Sequence, residues 1–163
     1  MAMLPSNPSQ PIVIMPGEGE SHEIGPSKIT HKVDGAANGG HFGMIEYTVA
    51  PRFVAPTLWH WHTKECWTAY VVAGQLRVAF LDRQIEVPTG GTIVVPPDCP
   101  FAWSNPSDAP AKLLSIYAPA GFENYFREIS TVLRQNPGVA AKDLGPQLTP
   151  LWDQYGIGAG SGR

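Results

Sequence analysis

The chain predicts an all-β domain, a sandwich or barrel of short strands, on three observations. The first is its punctuation: 17 Gly and 17 Pro in 163 residues disfavour a helical bundle and suit tight turns between short strands. The second is a run of nine strand-like segments at short intervals, each closed by Gly, Pro, Asn or Asp. The third is size: 163 residues with 43% hydrophobic content fit one domain with a sizeable core.

Residues 1–20 are rich in Pro, Ser and Gly and read as an extended arm. Their apolar island, Ile12-Val13-Ile14-Met15, is expected to add a strand to a sheet edge. The barrel is expected over residues 21–120, with strands at 28–33, 42–49, 57–62, 67–72, 76–81, 84–87, 92–95, 101–105 and 112–117. Breakers such as Ala73-Gly74, Pro88-Thr89-Gly90-Gly91 and Pro96-Pro97-Asp98 separate them. A helical segment follows over 121–155. Phe122, Phe126, Ile129 and Leu133 recur at the spacing of one helical face, which Asn136-Pro137-Gly138 ends. That face is read as a cover for the barrel or a dimer contact rather than a cofactor site. A second helix is expected at 148–155, and the Gly/Ser-rich residues 156–163 read as a flexible tail.

Composition excludes several classes of function. The net charge of −3 leaves no basic stripe for phosphates, so no nucleic acid is expected as partner. No apolar run approaches the ~18 residues a membrane span needs. Met1-Ala2-Met3-Leu4-Pro5 lacks the basic and apolar regions of a secretory signal, and the two cysteines, Cys66 and Cys99, make no disulfide framework. A cytoplasmic protein with reduced thiols is the expectation.

The chemistry-bearing motif is His60-Trp61-His62. On a strand, alternation points both imidazoles to one face. Such a pair usually begins a facial metal site, which then needs a carboxylate and often a third imidazole. Downstream stand Trp67, Gly74, Gly90, Pro96-Pro97-Asp98, Phe101 and Asn105.

With His60, His62 and Gly74 as a first motif, and Gly90, Ile93-Val94-Val95-Pro96-Pro97, Pro100 and Asn105 as a second, residues 57–117 resemble the cupin superfamily. The likeness is to small single-domain cupins similar to quercetin dioxygenase, and with Pro119-Ala120-Gly121-Phe122-Glu123 it covers roughly two thirds of the chain. It implies a double-stranded β-helix, the jelly-roll barrel, with a pocket in its mouth. Cupins of this kind commonly dimerise, so a homodimer through the arm and helix 122–135 is expected.

Against the family pattern, the motif glutamate falls on Trp67 and the second-motif histidine on Phe101. Neither side chain offers a lone pair to a metal, and two firm ligands are too few for a tight site. Three residues are candidates to restore one: Glu65 if the turn aims it inward, Cys66 for a soft metal, and His41 from an earlier strand. The expectation is a site without cofactor. The alternative is a divalent transition metal (iron, nickel, copper, manganese or zinc) on His60, His62 and Glu65, serving a dioxygenase of the quercetin dioxygenase type.

Without a metal, alternation predicts a cavity lined by Leu58, His60 and His62, by Trp67, Ala69 and Val71, and by Phe101 and Trp103. Such a cavity, mostly apolar with a few convergent polar groups, suits a small hydrophobic molecule. Two close imidazoles repel when both are protonated, so one stays neutral and the pair can act as base and acid. The aromatic walls would hold a substrate in a reactive shape. His60 and His62 are therefore the predicted catalytic residues of a cyclase or isomerase (cyclisation, dehydration or a pericyclic step) on a polyketide-like substrate. A non-catalytic binding module is the other alternative.

Overall fold

The computed structural model describes residues 11–55, 59–140 and 143–160. Two antiparallel sheets face each other across the core. The strands are β1 (Glu20–Ile24), β2 (Ser27–Val33), β3 (Gly43–Val49), β4 (Trp59–His62), β5 (Cys66–Ala73) and β6 (Gln75–Phe80). They continue with β7 (Arg83–Pro88), β8 (Thr92–Val95), β9 (Phe101–Ser104), β10 (Ala111–Ala118) and, at the end of the described chain, β11 (Ile157–Gly160). One sheet runs β1-β2-β3-β10-β5-β8, the other β11-β4-β9-β6-β7. This is the expected jelly roll.

Alternation builds the core. On β3, Ile45, Tyr47 and Val49 are buried; on β5, Trp67, Ala69 and Val71; on β10, Leu113, Ser115 and Tyr117. These strands lie side by side in register, Leu113 opposite Tyr47 and Val71, and Tyr117 opposite Trp67. The β5–β6 turn passes through Gly74 at φ +77°, where an added Cβ would stand 3.0 Å from the Ala111 Cα. A glycine meets both demands.

Two helices close the fold, α1 (Tyr125–Gln135) and α2 (Gly145–Tyr155). Helix α1 follows a short 3-10 turn, Phe122–Asn124, and buries Phe126 and Ile129 on the barrel. Its predicted apolar face therefore covers the barrel. Helix α2 begins three residues earlier than expected because Pro146 sits in its first turn, where its missing N–H is harmless. Gly156, left-handed at φ +70°, caps it.

Two expectations are corrected, and a third falls outside the described residues. The apolar island at 12–15 forms no strand; the edge strand is β1, a polar segment that pairs with β2 from Glu20 opposite His31 to Ile24 opposite Ser27. Residues 157–160 are not a loose tail but strand β11, which pairs with β4. Leu58 lies outside the described residues. Among the described residues no helix is long and apolar enough to cross a membrane.

Candidate active site

Strand β4 turns His60 and His62 into the barrel, where they are 7% and 5% exposed. Their ring centroids stand 5.5 Å apart. Phe101, opposite His60 on β9, brings its ring to 4.3 Å from the His60 ring. Trp67 stacks on Phe101 at 5.0 Å and 21°, and its Nε1 donates to Ser115 Oγ at 3.3 Å, which fixes the indole. The two aromatics standing at the family's ligand positions therefore form one stacked wall beside the imidazoles.

Glu65 is the residue the turn after β4 delivers. It is 3% exposed, and its Oε1 accepts a short hydrogen bond from His62 Nδ1. A carboxylate on Nδ1 fixes the tautomer and leaves Nε2 as the ring nitrogen available to the cavity. The turn does aim Glu65 inward, the condition on which its candidacy depended, yet its carboxylate meets Nδ1 of His62 instead of joining a shared ligand point.

Cys66 is half-buried on the face of β5 opposite Trp67, with its Sγ against the Trp67 carbonyl. His41 is exposed in the turn before β3. Neither comes to the site. The donor set does not fit the family's metal: the third and fourth positions carry rings, and the nearby carboxylate is committed to Nδ1 of a histidine that would have to ligate through Nε2. Among the described residues no three His, Cys, Asp or Glu side chains converge in a metal-holding group.

The imidazoles open on a cavity of about 690 Å³ of empty space, its mouth included. His60, His62, Trp67, Phe101 and Trp103 line it, as the alternation predicts. Ala69 and Val71 do not: both are fully buried in the core, because alternation gives the face of a strand but not the depth along it. Much of the remaining wall comes from residues that were not predicted to line it, among them Tyr47 on β3, Ser115 and Tyr117 on β10, Phe122 and Tyr125 before and on α1, and Ile157 on β11. Tyr47 and Tyr117 share the buried parity of their strands, a signal that was present in the sequence. Phe122 lies 4.2 Å from the His62 ring, and Tyr117 stacks over it at 6.1 Å and 14°.

Burial holds the Tyr117 phenol well above its usual range, with Tyr47 and the Glu65 carboxylate adding to the shift. Burial likewise raises Tyr47, and pushes Tyr125 up to about 12 against the opposing influence of the neighbouring Trp152 indole. These phenols stay protonated and remain hydrogen-bond donors at neutral pH.

Comparison with known proteins agrees with this architecture. Residues 45–117 match the family described as "Cupin domain". The structure of KdgF from Halomonas sp. superposes with a TM-score of 0.60 at 12% identity, covering 70% of this chain and 98% of that one. An RmlC-like cupin from Shewanella frigidimarina gives 0.53 at 16% identity, covering 67% and 91%. Pac13 of Streptomyces, described as a nucleoside dehydratase, gives 0.53 at 17% identity, covering 71% and 88%. No curated protein matches the sequence significantly. With two facing antiparallel sheets, a matched cupin domain over residues 45–117 and cupins as structural neighbours, the chain has the cupin fold.

Proposed function

We propose that this cupin is a small-molecule enzyme that works without a metal, a cyclase or isomerase acting by acid–base chemistry on a hydrophobic, polyketide-like substrate. The observation that carries the reading is the buried bond between Glu65 and His62 Nδ1 at the edge of an aromatic cavity. In an enolisable substrate, His62 Nε2 takes the proton from the carbon beside a carbonyl. The C–H electron pair becomes the enolate, and the Glu65 carboxylate stabilises the imidazolium that forms. The Tyr117 phenol and the second imidazole, His60, line the same cavity and would hydrogen-bond the enolate oxygen. Return of the proton to a different carbon isomerises the substrate. Attack of the enolate carbon on a second carbonyl closes a ring as an alkoxide, which takes the proton back from His62 to become a hydroxyl. Removal of a second α-proton by His62 then forms the C=C bond and expels the hydroxyl, which leaves as water with that second proton. Trp67, Phe101 and Trp103 hold the reacting ends together.

A likeness at 17% identity to a nucleoside dehydratase bears on the fold alone, so it carries none of this. A dioxygenase would need a third donor at the point His60 and His62 share, and Glu65 is turned to the other nitrogen.

The test uses 2-tetralone, a neutral enolisable ring ketone, with exchange of its α-protons in D2O followed by NMR. The protein should accelerate exchange over buffer, and EDTA should change nothing. His62→Gln should remove about a hundred-fold or more of the acceleration, and Glu65→Gln a large part of it. Exchange no faster than buffer would support a purely binding role, and loss with chelator would return the metal reading.

A further inference from the structure

The charge pattern around the pocket narrows what it can hold. Among the described residues, none of the 17 side chains lining the cavity is Lys, Arg, Asp or Glu. Two buried carboxylates act on the wall, Glu65 at 3% and Glu123 at 1% exposure. Glu65 is held by His62, and Glu123 by the backbone N–H groups of Gly35 and Gly121. No lysine or arginine among the described residues bonds either one. Their field reaches the cavity: both carboxylates help to raise the Tyr117 phenol that lines it.

The cations close by are committed elsewhere. Arg127, between the lining residues Phe126 and Ile129 of α1, binds Glu20 and Asp34. Lys64, next to Glu65, is exposed and donates to the Gln154 carbonyl at 2.6 Å.

We infer that the pocket selects an uncharged, unsaturated ring compound and rejects anions of the same shape, carboxylates and phosphate esters included. The inference deepens the reading above and rests on it only for the identity of the site. An anion entering the barrel gives up its water, meets no guanidinium or ammonium among the described lining residues, and faces two buried carboxylates. Only an imidazolium could receive it, and a protonated His62 is no longer a base. A cation fits the ring faces but stands beside an imidazole that becomes positive as it takes its proton. A neutral substrate meets neither penalty.

The test is calorimetric binding at pH 8 to the full-length protein, with three bicyclic probes of one shape: 2-naphthamide, 2-naphthoate and N-methylquinolinium. The amide should bind at least about ten-fold more tightly than naphthoate, and no more weakly than the quinolinium. Phe53→Arg, which puts a guanidinium at a half-buried position of the wall, should narrow or reverse the preference for amide over acid. Naphthoate or quinolinium binding more tightly than the amide to the wild type would overturn the inference, as would binding of none of the three. An unchanged preference in Phe53→Arg would also count against it. These are binding measurements. A protein that keeps this order of affinities but fails to exchange tetralone would lose the catalytic reading and retain this one.

Discussion

Trp67 and Phe101 set the chemistry of the barrel mouth by filling two ligand positions with rings that stack on each other at 5.0 Å. If those rings are what withholds a metal, then putting donors back should create a site. Trp67→Glu combined with Phe101→His should bind cobalt or nickel at least about a hundred-fold more tightly than the wild type, read by titration and elemental content. Equal affinity would mean that the strand geometry, and not the side chains, forbids the metal. Glu123 is the matching case for stability. Its two oxygens accept from Gly35 N at 3.0 Å and Gly121 N at 2.6 Å inside the fold. Glu123→Ala leaves the buried Gly35 N–H and the half-buried Gly121 N–H without their acceptor and should cost ~2–4 kcal/mol in urea unfolding, whereas Glu123→Gln, which keeps one acceptor, should cost less. At this scale the sequence was readable where parity decides: His60, His62, Trp67, Phe101 and Trp103 all reach the cavity. The Glu65–His62 bond was not, because a turn carboxylate beside Lys64 reads as solvated until the turn's path is known.

Strands β1 and β2 are tied to α1 by a cluster of ionisable groups that also steadies the pocket wall, since Ile24 of β1 and Phe126 and Ile129 of α1 line it. The His22 and His31 rings meet edge to face at 5.4 Å. Glu20 comes within 3.0 Å of His22, Asp34 within 3.5 Å of His31, and Arg127 binds both carboxylates. Burial lowers His22 below its usual value, with Glu20 opposing and with His31 and Arg127 adding to the shift. Below about pH 6.5 the unfolded chain therefore takes up a proton at this position that the folded chain takes up only at lower pH. Stability should be level above that pH and fall as the solution is acidified from pH 6.5 to 5. His22→Gln should flatten this slope in urea unfolding at several pH values; an unchanged slope would remove His22 as its cause. Asp34 acts in a separate window. The His31 ring 3.5 Å away, and then the hydrogen bond from Arg127, pull it down to about 2 against the cost of burial. Its contribution is present above its usual value and is lost as pH falls through about 2. β1 was missed in the sequence because Glu20-Ser21-His22-Glu23 carries no hydrophobic alternation; pairing with β2 and these charges hold it in place.

Taken as one molecule, the pocket belongs to both sheets and to the C-terminal segment together. Ile157 reaches the cavity from β11, directly opposite His62, and the pairing continues from Gly158 opposite Trp61 to Gly160 opposite Trp59. Hydrogen bonds from Lys64 and Thr63 to the Gln154 and Gly156 carbonyls, and from Tyr155 to Glu128, fasten the segment to the turn after β4 and to α1. The nine central strands were legible because each signals itself within a few residues. Ile157-Gly158-Ala159-Gly160 was not, because what makes it a strand is the backbone edge of β4, almost a hundred residues away. Its glycine is a spatial requirement. A Cβ on Gly158 would lie 1.9 Å from Trp61 Cε2 and 2.2 Å from Nε1, so the Trp61 indole lies flat across the strand. Gly158→Ala must move either the ring or β11, and overpacking of this kind costs ~1–3 kcal/mol. Because the obstacle is a single side chain, Trp61→Ala should relieve it. The double variant should be less destabilised than the sum of the two single ones by at least about 1 kcal/mol in urea unfolding. The same cycle should register in the pocket: Gly158→Ala alone should weaken 2-naphthamide binding by displacing Ile157, and Trp61→Ala should restore part of it. Strict additivity in both measurements would mean that β11 is not held against β4 by this contact and that the C-terminal segment is not a wall of the site.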